Sequence, residues 1–155
     1  MRIDYLADQP QFIDALVPAF LGHYRAILPE DTVQTRISKF RAHLNRDALP
    51  IAWVAHANGL ALGTAALRIH DLPGRDDLTP WLGGVFTLPE HRRRGVGNAL
   101  CAVVERKAAA IGISMLYLFT LDQQPWYFRK GWRMLERCTW RDLPGDIMCK
   151  VPDAA

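Results

Sequence analysis

The chain has 155 residues, half of them hydrophobic and 23% charged, with a net charge of +3. This is the balance of a soluble globular protein, long enough to bury a real core as one domain over residues 1–155. The positive excess is too small to argue for nucleic acid by itself. No apolar run reaches membrane-spanning length, and Met1-Arg2-Ile3-Asp4 has no targeting character, so no membrane partner is expected. Cys101, Cys138 and Cys149 show no metal-ligand spacing; an odd cysteine count without a signal sequence predicts a reduced, cytoplasmic protein with no metal and no catalytic thiol.

Met1–Leu6 reads as a first strand. Phe12, Leu16, Phe20 and Tyr24 then share one helical face with Ile13 and Val17 beside them, and Pro18 should kink or split that helix. A second helix is expected from Asp31 to Leu44. Val33, Ile37, Phe40 and Leu44 would be its buried side, and Arg36, Lys39 and Arg41 would face out. Ile51–Ala57 and Leu60–Ile69 flank Asn58-Gly59, a two-residue hairpin signal. Asp71–Pro80 reads as a loop. Trp81–Leu88 is the next strand, and a helix follows from Val96 to Ile111 with an apolar stripe of Val96, Leu100, Val103, Val104 and Ile111. Cys101 would lie off that stripe, and Gly112 caps the helix. Ile113–Leu121 is nearly continuous apolar sequence, as for a strand covered on both faces. A short helix over Gln124–Lys130 precedes two closing strands, Trp132–Arg141 and Ile147–Val151, with a turn at Asp142–Asp146.

The stretch Trp81–Gly112 organises the rest. Pro89 ends its strand, because proline cannot donate to a ladder. Gly95 and Gly97 remove side chains where the backbone must come close to something. The following helix begins with unpartnered N–H groups and partial positive charge, beside Arg92, Arg93 and Arg94. Such a turn is an anion cradle suited to a phosphate or pyrophosphate. It is neither of two other phosphate loops: there is no G-x-x-x-x-G-K-[ST], and Leu100 stands where a G-x-G-x-x-G motif needs its third glycine.

Strand, Pro89, then Arg92-x-x-Gly95-x-Gly97 opening a helix resembles the acyl-CoA motif of the GCN5-related N-acetyltransferase (GNAT) superfamily. Trp126-Tyr127-Phe128-Arg129-Lys130-Gly131-Trp132 resembles that family's late phrase, an aromatic-Tyr pair followed by Gly-aromatic. The two phrases and what lies between them cover residues 81–135. The resemblance implies an α/β (α+β) fold: a mixed, mostly antiparallel sheet of about seven strands, splayed at the cofactor site, with about four helices on its two faces. It also implies acetyl-CoA as co-substrate. Val85, Phe86 and Thr87 would pair with the pantetheine arm, and Gly83-Gly84 would mark a bulge that admits it. Arg92, Arg93, Arg94, Gly95, Val96, Gly97 and Asn98 would hold the pyrophosphate.

Acetyl transfer to an amine needs a neutral amine, a polarised thioester, a proton for the leaving thiolate, and both substrates held together. Tyr127 is the expected general acid, since a phenol is protonated at neutral pH. The base stays open: many relatives carry a carboxylate on the strand before the motif, and residues 81–88 contain none. Asp122 is one candidate. Glu30 and Asp31, between the early helices, are candidate acceptor-binding residues and further candidate bases. His70, His91, Asp76 and Asp77 are also possible, as is a relay through water. Trp53, Trp81, Trp126, Trp132 and Trp140 either pack the core or line an aromatic acceptor pocket. The expected activity is N-acetylation of a primary amine, on a small molecule or a peptide, by direct attack in a ternary complex. The alternative is a non-catalytic acyl-CoA sensor. A nucleic-acid partner is disfavoured, and either a monomer or a homodimer is compatible with this reading.

Overall fold

The computed structural model describes residues 1–154. Seven strands form one sheet in the order β1-β2-β3-β4-β5-β7-β6. They are Arg2–Tyr5 (β1), Ile51–Ala57 (β2), Leu60–Arg68 (β3), Trp81–Thr87 (β4), Leu116–Thr120 (β5), Arg133–Trp140 (β6) and Leu143–Lys150 (β7). The helices are Ile13–Tyr24 (α1), Val33–Ala42 (α2), Val96–Ala110 (α3) and Gln124–Phe128 (α4). All neighbouring strands run antiparallel except β4 and β5. This is the mixed, mostly antiparallel sheet with four helices that the sequence predicts.

Local chemistry accounts for most of the boundaries. Asn58 and Gly59 both take positive φ, 53° and 76°, and join β2 to β3 in the tight turn whose twist matches a hairpin. The second hairpin differs from expectation. Its turn is Arg141-Asp142, at φ 53° and 64°, and β7 already begins at Leu143. Pro144 and Gly145 look like strand breakers, but Pro144 pairs only with Thr139 of β6, beyond the last β5 partner at Asp146. Its missing N–H therefore costs no ladder bond there. Pro18 does not split α1, which is continuous from Ile13 to Tyr24 after a single 3-10 turn at Pro10–Phe12.

The core lies on both faces of the sheet. On one face α3 packs Val96, Leu100 and Val104 against Trp53, Ala65, Leu67 and Leu82. On the other, α1 and α2 pack Leu16, Phe20 and Phe40 against Val54, Ala66 and Phe86. Each Val, Leu or Phe among these contributes about 1.5–3 kcal/mol by leaving water. Three expectations about facing are corrected. Arg36 is buried at 6% exposure whereas Val33 is 48% exposed, because Arg36 finds a carboxylate at Asp31 and lies over the Phe20 ring at 4.1 Å. Cys101 is a core residue at 1% exposure, and Ile111 is 44% exposed at the C-cap of α3. β5 is shorter than expected and alternates: Leu116 and Leu118 are buried, while Tyr117 and Phe119 are half-buried in a satellite cluster with Leu72, Trp81 and Ile147.

Candidate functional site

Two irregularities break the sheet at its centre. The first is in β4. Thr64 of β3 pairs with Phe86, yet Ala66 pairs with Gly83, so β4 spends one residue more than β3 over this stretch. That is a bulge, and Gly84 carries it at φ +59°. Leu82 and Val85 consequently pack on the α3 face, while Phe86, like Ala66 opposite Gly83, packs on the α1–α2 face. The second irregularity lies between β4 and β5. They pair only at Trp81 and Tyr117, and the Tyr117 N–H donates to Pro80 O at 3.1 Å. From Gly83 to Thr87 the β4 edge facing β5 has no partner strand, which leaves a slot lined by backbone N–H and C=O groups.

The slot leads to the N-terminus of α3. Gly95, at φ +80°, is the N-cap, with no side chain to satisfy the first turn and no acidic residue in that turn. The first intrahelical bond there is Ala99 N–H to Gly95 O at 3.1 Å, so the N–H groups of Val96, Gly97 and Asn98 remain available to an anion. Arg93 is also left-handed, at φ 63°. Arg93 and Arg94 are exposed, and Arg92 bends back to donate from Nε to Thr87 O at 3.1 Å and approaches His23 Nδ1 at 3.3 Å. A Cβ on Gly97 would touch the Trp126 ring at 3.4 Å. Trp126 thus forms the wall of the cradle opposite Thr87, with Lys130 Nζ 4.0 Å above its ring.

Tyr127 stands on the α3 side of the slot. Pro125 opens α4 within its first turn. Gln124 Nε2 anchors the helix to Asp146 Oδ2 at 2.7 Å, and Gln123 N–H donates to Thr120 Oγ1 at 2.9 Å. The Tyr127 ring is 7% exposed and meets Trp126 and Trp132 edge to face at 4.9 and 6.0 Å. Burial pushes its pKa well above the ordinary phenol value. The group is therefore protonated at neutral pH, and its hydroxyl makes no hydrogen bond among the described residues.

The α1–α2 side of the slot is aromatic. Tyr24 and His23 cover Phe86 at ring distances of 6.2 and 5.5 Å. Burial and then the Arg92 charge lower the His23 pKa. Asp122 is exposed, and its charge acts on His23 and Tyr24. Glu30 and Asp31 both have partners already: Glu30 pairs with Arg141, and Asp31 Oδ2 accepts from Arg36 Nε at 2.7 Å. His70 and Asp76 lie together, both exposed, on the β3–β4 loop, and Asp77 pairs with Arg75. His91 follows β4 in a 3-10 turn. Trp53, Trp81 and Trp132 are core residues, whereas Trp126 and Trp140 are half-buried. Burial, and then Glu105, pushes the Cys101 thiol up to about 12, so it is inert as a thiolate.

A group that sequence reasoning did not single out sits over the bulge. Arg68, at the end of β3, donates from NH1 to Asp71 Oδ1 at 2.7 Å and from Nε to His43 Nε2 at 2.9 Å. His43 Nδ1 is 2.6 Å from Lys39 O and must donate to it, so Nε2 is the acceptor and the ring is neutral. The signal available in the sequence was the pair Gly83-Gly84, whose missing side chains make room for this group.

The chain belongs to the acetyltransferase (GNAT) family, whose model matches residues 13–130. It is 26% identical over 125 residues to an amino-acid acetyltransferase of Ralstonia nicotianae, an alignment covering 81% of this chain and 26% of that protein. It is 41% identical over 58 residues to the aminoglycoside N(6')-acetyltransferase type 1 of Salmonella typhimurium, covering 36% of this chain and 40% of the relative. The matched stretches thus cover less than half of either relative's own length. Among solved structures, an aminoglycoside 6'-N-acetyltransferase complexed with coenzyme A superposes with a TM-score of 0.76 at 17% identity, over 99% of this chain and 98% of the other.

Proposed function

We propose that this chain is an acetyl-CoA-dependent N-acetyltransferase that acts on a primary amine by direct attack within a ternary complex. The observation that carries the reading is the continuity of two open backbone surfaces: the unpaired β4 edge runs into the uncapped N-terminus of α3. The edge at Val85, Phe86 and Thr87 suits the amide-bearing pantetheine arm. The residues from Arg92 to Asn98 suit the pyrophosphate, chiefly through backbone N–H groups. The names of the relatives point the same way, since both are acetyltransferases of amine-bearing acceptors.

In this reaction the amine nitrogen bonds to the thioester carbon, the carbon–sulfur bond breaks, and the leaving thiolate needs a proton. Tyr127 supplies it from the α3 side. Holding amine and thioester together lowers the barrier by about 7–11 kcal/mol without any covalent enzyme intermediate. The test is thiol release from acetyl-CoA across a panel of amino acids, aminoglycosides, polyamines and peptide N-termini. Release with at least one amine, matched by the acetylated product in the mass spectrum, is the expected result. CoA binding without release on any amine would favour a sensor instead.

A further inference from the structure

We infer that Asp71, delivered from the β3–β4 loop and held by Arg68, is the carboxylate that receives the acceptor nitrogen; the inference rests on the acetyltransferase reading above. β4 itself has no carboxylate, and at the bulge it has no side chains at all. A Cβ built on Gly83 would lie 2.6 Å from Asp71 Oδ1, and one on Gly84 would lie 2.7 Å from Arg68 NH2. The volume that β4 side chains would fill above the slot is therefore occupied by a carboxylate and a guanidinium reaching over from the neighbouring strand and loop. Asp71 is 19% exposed, so it is sheltered yet reachable. Its Oδ1 takes the Arg68 bond, and its Oδ2 accepts no hydrogen bond among the described residues.

The placement is across the slot from the acid. Arg68 lines a cavity of about 10 Å³, room for one water, together with Phe20, Phe40, Ala66 and Gly84. That is the α1–α2 face, whereas Tyr127 belongs to the α3 face. Burial is the main cause that raises the Tyr127 pKa, and the Asp71 charge adds to it in the same direction. The charge of Asp71 is held by Arg68 of β3 and acts on His43 at the C-cap of α2, Tyr24 of α1 and Tyr127 of α4, and Arg36 and Lys39 of α2 line the cavity beside Arg68.

The proton count closes with these groups. An acceptor ammonium loses two protons on becoming an amide. Asp71 Oδ2 takes them in turn from the nitrogen, before and after it bonds to the thioester carbon, and passes each to water. Tyr127 gives one proton to the departing sulfur and recovers one from water. The net result is amide, CoA thiol and one proton released. Arg68 is a positioning residue: it fixes the carboxylate, and His43 fixes Arg68.

The experiment is Asp71→Asn in the full chain, using the amine that wild type acetylates best. The expected result is a fall of about a hundredfold or more in acceptor kcat/KM at pH 7, with the affinity for CoA unchanged by calorimetry. The deficit should shrink as pH rises toward the pKa of the amine, because the amine then arrives without its extra proton. Arg68→Lys should lower kcat/KM less and keep the shape of the wild-type pH profile. An Asp71→Asn enzyme within threefold of wild type, with the same profile, overturns the proposal. Should that variant lose CoA binding, Asp71→Ser is read in its place by the same criteria. A wild-type chain that acetylates no amine sinks the acetyltransferase reading instead, so the two failures are distinguishable.

Discussion

At the scale of single residues, two sheltered polar groups have consequences that can be measured. His43 is locked neutral between Lys39 O and the Arg68 guanidinium, and burial, then the Arg68 charge, lowers its pKa to about 4. A free histidine takes a proton near pH 6.5, so in this window the unfolded chain binds a proton that the folded chain refuses. The resulting stability is present above about pH 6.5 and is lost as pH falls toward 4. His43→Gln keeps an acceptor for Arg68 without titrating. Thermal melts at pH 7 and pH 4.5 should show a smaller acid loss in the variant than in wild type. The second group is the Asp31–Arg36 pair, whose side chains are 4% and 7% exposed. Asp31→Asn leaves a buried guanidinium without its counter-charge and should cost about 3–5 kcal/mol in urea unfolding. Neither feature was legible beforehand, because helical spacing alone put Arg36 in solvent and gave His43 no partner. A pairing between α2 and its preceding loop, or between α2 and β3, is tertiary information. The place of Tyr127 on a short helix was legible because it sits in a contiguous phrase.

At the scale of elements, β4 and α3 carry most of the proposed donor site, and both would act through what they lack. Gly97→Trp would place an indole between Thr87 and Trp126, where a Cβ already makes contact. It should abolish CoA binding in calorimetry, while the far-ultraviolet spectrum stays helical and mixed. Gly84→Ala forces an L side chain into the left-handed region at a cost of about 1–2 kcal/mol and drives its Cβ toward Arg68 NH2. Its melting temperature should fall, and acceptor kinetics should suffer more than CoA affinity. Unchanged acceptor kinetics would show that the Arg68 group does not serve the acceptor. The bulge could be anticipated because two adjacent glycines have few other uses in mid-strand. The early start of β7 could not, since Pro144 is harmless only because β5 stops short of it.

At the scale of the whole molecule, the sheet is two antiparallel halves joined by one parallel rung, Trp81 to Tyr117. A ligand that lies in the slot ties the halves together. At a hundred times its Kd, CoA should add about 2.7 kcal/mol of stability, or roughly 5–10 °C in a domain of this size. Hydrogen exchange should slow most at residues 83–88 and 96–98, and protection confined to the distant β1–β2 edge would contradict the placement. The element order was largely readable from hydrophobic spacing and from Asn58-Gly59, Pro89 and Gly112, and the fold class from the resemblance carried by residues 92–97 and 126–132, whereas Pro18 and Pro144 misled. The composition of the proposed acceptor side was not, because it draws on α1, α2, β3 and a loop that no short motif links.

The single rung also bears on kinetics. Where β4 and β5 diverge there is no ladder to unzip, so a ligand arriving from solvent meets donors and acceptors that are already exposed. Binding then has no obligatory opening step in front of it. In stopped-flow mixing, the observed rate for CoA should climb in proportion to concentration, with a slope in the ordinary range of about 10⁵–10⁷ M⁻¹s⁻¹. A rate that levels off at high CoA would reveal a gate that the geometry of Trp81 and Tyr117 does not call for.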